Sequence, residues 1–168
     1  DISTGEIINN VVENSGGDGI DLMSSTPRII GNRVSGSGDK GISIGEASTP
    51  FVFNNDIRKC SIGIEVKDRS DPILLHNSIL DSKTGLRERR KNWRYGGGGW
   101  ATVAQTIFSG NKKPRVRDEF SRLTLAGVAG LDSAGSATVV EPSDLSWLYR
   151  MEGIVPPPDA KPGLVDAW

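Results

Sequence analysis

The sequence predicts an all-β protein built as a solenoid, in which short strands stack in coils of about 22 residues. Three series of residues recur with nearly that period. A glycine opens an apolar strand at Gly19, Gly41, Gly63 and Gly85. An asparagine recurs at Asn10, Asn32, Asn55 and Asn77, and a proline precedes a strand at Pro27, Pro50 and Pro72. A fixed period of this length is typical of a solenoid, and we expect about five such coils.

The strand that follows each glycine alternates between apolar and polar residues. In the first coil, Ile20 and Leu22 share one face and Asp21 points the other way. A single coil is too small to bury its own apolar face. Stacked coils would bury a continuous column of Ile, Leu and Val, which explains why the same residue types recur at the same place.

The asparagine and glycine columns have a structural explanation. Stacked asparagine side chains can hydrogen-bond to one another along the axis of the stack, as in cross-β ladders. Asparagine also tolerates a left-handed backbone at a bend. We expect the glycines to supply a second bend with positive φ. Neither column is therefore predicted to bind a ligand.

The composition limits the possible partners. The chain has 168 residues, room for one domain or for one domain and a small appendage, and its formal net charge of −1 gives no reason to expect a nucleic-acid partner. No apolar run is long enough to span a bilayer, so we expect no membrane span. Cys60 is the only cysteine, which rules out a disulfide within the chain. Because the chain begins with Asp1 rather than Met, we expect a processed chain or part of a longer protein.

The repeat divides the chain into three segments. We expect β-solenoid coils over residues 1–120 and an irregular C-terminal cap over 121–151, since a solenoid needs cover on its open end. The proline-rich tail over 152–168 is predicted to be extended, and it would either lie on the domain or dock on a partner.

A loop at residues 92–99 interrupts the repeat, which resumes afterwards. We align Val103 with Leu75 at an offset of 28 residues, and Ile107 with Ile79. Gln105 then takes the asparagine position, and the loop is a six-residue insertion into one coil. Inserted loops on solenoids often carry the binding function.

Residues 16–23 match the calcium-binding nonapeptide G-G-x-G-x-D-x-U-x. Its candidate ligands would be Gly16, Gly17, Asp18 and Asp21. Calcium in that motif needs consecutive nine-residue copies, because its oxygen ligands come from adjacent turns. Here the copy is single, and Ser43 replaces Asp21 one coil later. We therefore expect a glycine-rich turn and no metal or other cofactor.

The outward positions of the glycine strands become basic toward the C-terminus. One column reads Asp21, Ser43, Glu65 and Arg87, and the other reads Met23, Gly45, Lys67 and Arg89. Coils stack about 4.8 Å apart, so we expect Glu65 and Arg87 to form a surface ion pair worth about 0–1 kcal/mol. The basic face is either simply solvated or a site for an anion or acidic glycan.

The inserted loop adds aromatic residues to this basic face. Aromatic rings stack on sugars, arginine forks suit carboxylates or sulfates, and the same side chains could anchor a protein or pack on the solenoid wall. The predicted ligand-binding residues are Arg87, Arg89, Arg90, Trp93, Arg94, Tyr95 and Trp100.

The repeats resemble a known superfamily. The patterns N-x-[VI] and G-[IL]-x-[VLI] over residues 1–113 resemble the right-handed parallel β-helix of pectate lyase-like proteins. More narrowly, they are similar to NosD-type, carbohydrate-binding and sugar-hydrolase-associated repeats. The resemblance implies a right-handed parallel β-helix. The catalytic motifs of the superfamily's lyases, polygalacturonases and epimerases are not found here, and no catalytic residue is predicted.

These observations lead to one functional prediction and two alternatives. We expect a non-catalytic domain of a larger bacterial protein that is exported, periplasmic or on the cell surface. It would bind a polysaccharide or a protein through the face at residues 87–100. The alternatives are a polysaccharide lyase or hydrolase domain and a structural subunit of a multi-chain assembly.

Overall fold

The structure, a computed structural model, describes residues 3–131 and 137–140. The described residues form 17 strands and one 3-10 helix, Trp93–Tyr95. About half of the predicted cap, residues 132–136 and 141–151, and all of the proline-rich tail, 152–168, lie outside these residues. The strands are β1 (Glu6–Ile8), β2 (Val11–Glu13), β3 (Ile20–Met23), β4 (Arg28–Ile30), β5 (Arg33–Ser35), β6 (Lys40–Gly45), β7 (Phe51–Phe53), β8 (Asp56–Arg58), β9 (Ile62–Lys67), β10 (Ile73–Leu75), β11 (Ser78–Leu80), β12 (Thr84–Arg89), β13 (Trp100–Ala104), β14 (Ile107–Ser109), β15 (Lys113–Arg117), β16 (Arg122–Ala126) and β17 (Ala137–Val139).

The strands form three parallel sheets, and each full coil contributes one strand to each sheet. The first sheet has the order β1-β4-β7-β10-β13-β16-β17, the second β14-β11-β8-β5-β2 and the third β15-β12-β9-β6-β3. This topology confirms the predicted parallel β-solenoid. The described coils number about six rather than about five, because β16 continues the first sheet in register with β13.

The inward side chains of the three sheets form one core along the axis of the stack. In the third sheet, Ile20, Ile42, Ile64 and Leu86 stack in register and are buried. The first sheet adds Ile29, Val52, Leu74, Val103 and Leu125, and the second adds Val34, Ile57, Ile79 and Phe108. Each coil depends on the adjacent coils to bury these residues, so the strands of a coil are stable only within the stack.

The repeated asparagines form a hydrogen-bonded ladder inside the stack. The Oδ1 atom of Asn55 accepts bonds from both the backbone N–H and the Nδ2 of Asn32, at 2.9 and 3.0 Å. The Oδ1 atom of Asn77 accepts the same two bonds from Asn55. The left-handed backbone expected at the asparagines is instead found one residue earlier, as at Asn54 and His76. The asparagine side chain is thereby free to point inward and satisfy backbone groups of the previous coil.

The repeated glycines do not supply the bend with positive φ that we expected. Gly41 and Gly63 are not among the residues with left-handed backbone. A Cβ atom on Gly63 would lie 2.4 Å from the side chain of Ile79 and 2.7 Å from the carbonyl oxygen of Gly85. Glycine is required because the next coil approaches too closely for any side chain.

The coil after the inserted loop is shifted by one residue from the predicted alignment. Val103 pairs with Leu74 rather than Leu75, and Ile79 pairs with Phe108 rather than Ile107. A slip of one residue turns each side chain to the other face of a sheet. Phe108 is accordingly buried at 4% exposure, whereas Ile107 is 50% exposed.

The asparagine position of this coil is also shifted. Thr106, rather than Gln105, accepts the bond from the backbone N–H of Asn77, at 3.3 Å. The offset between those two residues is 29, which exceeds the 22-residue period by seven, so the insertion has seven residues rather than the predicted six. No helix among the described residues is long and apolar enough to cross a membrane.

Candidate functional site

The inserted loop is fastened to the neighbouring coil at its first residues. The carboxylate of Asp68 is buried and accepts hydrogen bonds from the backbone N–H groups of Lys91 and Asn92, at 2.7 and 2.6 Å. Bonds to a carboxylate are shorter and stronger than those between neutral groups. The loop therefore leaves β12 in a defined direction.

The glycines at the end of the loop allow it to return to the sheet. A Cβ atom on Gly99 would lie 2.2 Å from the carbonyl oxygen of Val66, and one on Gly98 would lie 2.3 Å from the hydroxyl of Ser121. The backbone N–H of Gly98 donates to Phe120, and its carbonyl oxygen accepts from Arg69. The glycine tract is thus packed between two coils, and its composition reflects close contact rather than flexibility.

A single turn of 3-10 helix at Trp93–Tyr95 forms the exposed part of the loop. The side chain of Asn92 accepts from the backbone N–H of Arg94 at 3.1 Å, and Gly96 ends the turn with a left-handed backbone. The side chain of Trp93 is 81% exposed, and Arg94 is exposed beside it. The capped turn therefore presents an indole and a guanidinium to solvent.

Tyr95 points away from this exposed turn. Its hydroxyl lies close enough to the side chains of Glu46 and Ser24 to interact with them, and these two residues belong to the second and first coils. Loss of solvent and the neighbouring Glu46 carboxylate raise the pKa of the Tyr95 hydroxyl. Tyr95 thus holds the loop against the earlier coils.

Arg87 and Arg89 converge on one carboxylate on the outer face of the third sheet. Their Nε atoms donate to Oε1 of Glu65 at 2.6 and 2.8 Å. The Nζ atom of Lys67 lies 3.7 Å from the other oxygen of Glu65 and donates to the hydroxyl of Ser43. The predicted pair of Glu65 and Arg87 forms, but it is not a surface pair.

Glu65 is fully buried because three long cationic side chains surround it. Burial alone would raise the pKa of Glu65. The hydrogen bond and charge of Arg87, followed by the charge and hydrogen bond of Arg89, outweigh burial and lower that pKa. With one anion and three cations, the cluster keeps an excess of two positive charges.

Trp100 lies on the first sheet, and Arg90 contacts the next coil. The guanidinium of Arg69 lies 5.2 Å from the centroid of the Trp100 ring, and that of Arg122 lies 5.3 Å from it. The guanidinium of Arg90 lies 3.5 Å from the centroid of Phe120. Trp100 and Arg90, both predicted site residues, therefore make their cation–π contacts within the domain.

The predicted site residues therefore separate into three groups. Trp93 and Arg94 are exposed on the loop, Arg87 and Arg89 bind Glu65, and the others make contacts within the protein. The sequence did not point to the partners Arg69, Phe120 and Arg122, because only the stacking of coils brings them to the loop. Lys67 could be anticipated from its position in the outward column.

A second buried carboxylate lies on the inner face of the third sheet. Glu88 stacks above Val66, and Arg115 stacks above Leu86, both at positions that are apolar in earlier coils. Nε and Nη2 of Arg115 donate to the two oxygens of Glu88 at 2.7 and 3.0 Å. Sequence reasoning missed this pair, although a break in the apolar inward column was its signal.

The candidate calcium motif is occupied by an ammonium group. The Nζ atom of Lys40 lies 3.2 Å from Oδ1 of Asp18 and also pairs with Asp39. The side chain of Asp21 is exposed on β3. Within residues 3–131 and 137–140, no three His, Cys, Asp or Glu side chains are grouped to hold a metal ion. The absence of a cofactor stays a prediction.

Comparison with known proteins identifies the fold family. No curated protein and no solved structure matches the chain significantly. Residues 1–140 match the family described as the right-handed beta helix region, which covers more than half of the 168 residues. The three stacked parallel sheets agree with this match and are consistent with the pectate lyase-like superfamily. The chain therefore belongs to the right-handed β-helix family.

Proposed function

We propose that this β-helix is a non-catalytic domain that binds a glycan through the inserted loop. It would act as part of a larger bacterial protein that is exported or on the cell surface. The observation that carries the proposal is the side chain of Trp93, which is 81% exposed on an anchored turn. Tryptophan is enriched at binding interfaces, where its ring buries a large apolar area.

The loop has the properties of a preformed binding surface. Asp68 fixes its start, the glycine tract fixes its end, and Tyr95 ties its centre to earlier coils. Binding to such a surface costs little ordering entropy. The indole of Trp93 offers a flat face for a sugar ring, and Arg94 offers a fork for an acid group or hydroxyls.

The neighbouring basic cluster extends this surface. Arg87 and Arg89 are half-buried and keep part of their guanidinium groups open to solvent. Because the cluster carries excess positive charge, it favours a glycan with acidic substituents. Trp100 has a supporting role, since arginine side chains lie against its ring.

A glycan-array screen followed by calorimetry tests the proposal. We expect the protein to bind at least one glycan on the array. The double variant Trp93→Ala with Arg94→Ala should weaken that binding at least ten-fold, because central aromatic contacts commonly contribute more than about 1.4 kcal/mol. The matched control is Val11→Ala with Arg33→Ala, which removes an exposed apolar and an exposed basic side chain from the second sheet. Retention of no glycan, or equal loss in both variants, would contradict the proposal.

The two alternatives give different results in the same samples. A lyase or hydrolase would release products from pectin or alginate, whereas a structural subunit would form a multi-chain assembly. Glu65, on the basic face, and Glu88, on the inner face of the same sheet, are each held by arginine, which favours the non-catalytic function. If the loop binds a protein instead, the wild type should bind that protein in the absence of any glycan, and the variant Trp93→Ala with Arg94→Ala should not.

A further inference from the structure

The outer face of the first sheet is apolar, unlike the outer face of the second sheet. Its side chains alternate with the core residues Val52, Leu74 and Val103 along the strands. They form a second cluster of buried apolar residues: Phe51, Phe53, Leu75, Ala104 and Ala126, with Ile30, Ile73 and Val140 packed against it. One outward column of the second sheet instead contains Val11, Arg33, Asp56, Ser78 and Ile107, none of which is buried.

This outer cluster is buried although its described apolar neighbours all come from the same sheet. Leu75 and Ala126 are 0% exposed, and Phe51 is 6% exposed. Every described residue of the cluster lies on a strand of the first sheet or, like Val140, directly follows its last strand. Side chains on one face of a sheet stand side by side, so they leave one another's outer ends uncovered. A further layer must therefore cover this face, as is general for parallel sheets.

The chain leaves the described coils at this same face. β17 is the last strand of the first sheet, and the backbone N–H of Val140 after it donates to the carbonyl oxygen of Leu125 at 2.9 Å. The side chain of Val140 packs against the outer cluster. Residues 141–168 follow, so they begin beside the surface that needs a cover.

The outer cluster becomes shallower toward the point where the chain leaves it. One outward column of the sheet reads Phe53, Leu75, Ala104 and Ala126 in successive coils. The two alanines lie on the strands nearest to β17. Small side chains leave space above the sheet, and close packing requires large apolar side chains to fill it.

The first residues after Val140 supply such side chains. Leu145, Leu148 and Met151 recur at every third residue, which is the spacing of one face of a helix, and Trp147 adds a large ring. The tail beyond them, 152–168, is rich in proline, which favours an extended chain and interrupts a continuous apolar stripe. The composition therefore favours residues 141–151 as the cover.

We propose that residues 141–151 lie across the outer face of the first sheet and cover its apolar cluster. The sequence predicts a cap on the open end of the solenoid over 121–151, and the proposal assigns the last part of that cap to the side of the solenoid instead. An uncovered apolar face of this kind would promote association with a second copy or another protein. The segment therefore blocks this face to partners, independently of whether the inserted loop binds a glycan.

Crosslinking of the whole folded chain with a short bismaleimide tests the contact. The variant Thr102→Cys with Ser146→Cys places one thiol on the outer face of the first sheet and one in the segment. We expect a crosslink within one chain, found by peptide mass spectrometry. Cys60 is buried and should not react.

Two controls show whether that crosslink reports the proposed contact. Ser109→Cys with Ser146→Cys places the first thiol at an exposed position of β14 in the same coil, on the second sheet, and should not form the crosslink. A mixture of the single variants Thr102→Cys and Ser146→Cys should not form it either, because the segment covers its own chain. Equal crosslinking in either control, or none in the Thr102 pair, would overturn the proposal, and crosslinking in the mixture would identify a second copy as the source of the cover.

Acidic substitutions in the segment test whether its apolar side chains make the contact. Trp147→Asp with Leu148→Asp, added to the Thr102 and Ser146 pair, should abolish the crosslink and increase the fluorescence of a dye that binds exposed apolar surface. The matched control Val165→Asp with Trp168→Asp makes the same kind of change in the tail and should keep the crosslink. A crosslink that survives in the segment variant, or is lost equally in the tail variant, would contradict the assignment of the cover to residues 141–151.

Discussion

The third sheet buries one glutamate on each of its two faces, and the two are stabilised differently. On the outer face, Glu65 is surrounded by Lys67, Arg87 and Arg89. On the inner face, Glu88 is paired with Arg115 in a two-pronged contact inside the core. Both carboxylates are fully buried, so burial alone does not distinguish them.

The pKa shifts of these glutamates have opposite signs. Burial raises the pKa of Glu88 and is only partly offset by Arg115, whereas the arginines around Glu65 outweigh burial and lower its pKa. The number of nearby cations therefore decides the charge state that the fold prefers. The outer cluster can also reach solvent through its arginines, while the inner pair is enclosed by neighbouring coils.

The largest expected effect is loss of the inner cation. Arg115→Met should lower the free energy of unfolding by about 3–5 kcal/mol, because it leaves Glu88 buried without its partner. Urea unfolding followed by far-ultraviolet circular dichroism measures the change.

A double variant shows whether the pair itself or the uncompensated charge determines the loss. Glu88→Met with Arg115→Met restores the apolar inward column of the earlier coils, and we expect it to recover most of the stability. A double variant as unstable as Arg115→Met would show instead that the coil needs the pair for its geometry.

A smaller effect is expected on the outer face. Glu65→Gln keeps an acceptor for Arg87 but removes the charge, and we expect a loss of about 1–2 kcal/mol that decreases at high salt. The arginines are partly exposed, which limits the loss. The control Asp21→Asn makes the same change at an exposed position of the same column and should alter stability by less than about 0.5 kcal/mol. A loss that is independent of salt would contradict the solvent access assigned to this cluster.

Much of the fold could be predicted because the repeat appears in the sequence itself. The period, the inward alternation of Ile20 and Leu22 and the parallel stacking all follow from it. The shift after the inserted loop could not be predicted, because Ile107 and Phe108 are both apolar and either could face inward. Gln105 also resembles asparagine more than Thr106 does. Only the contacts of the folded coil decide between these alignments.

The candidate site was less predictable than the scaffold. The sequence indicated which residues are basic or aromatic, but the directions of Tyr95 and Trp100 depend on how the loop is anchored. That anchoring comes from Asp68 in the previous coil and from close approach at Gly99. Similarly, the outward column predicted the contact between Glu65 and Arg87, but it did not reveal that further cations bury the carboxylate.

The smallest effect, and the sharpest test of the comparison, is the response to acid. The pKa of Glu65 is lowered on folding, so just below its ordinary value the unfolded chain binds the proton and the folded chain does not. The stability that Glu65 contributes is therefore lost as the pH falls through its folded pKa, and the difference in unfolding free energy between the wild type and Glu65→Gln should narrow.

The pKa of Glu88 is raised on folding, so between the ordinary and the raised values the folded chain binds more protons and gains stability as the pH falls. The gap between the wild type and Glu88→Gln should then move in favour of the wild type. Urea unfolding between neutral and acid pH measures both gaps, and changes in the same direction would show that the two glutamates do not differ in the way their neighbours indicate.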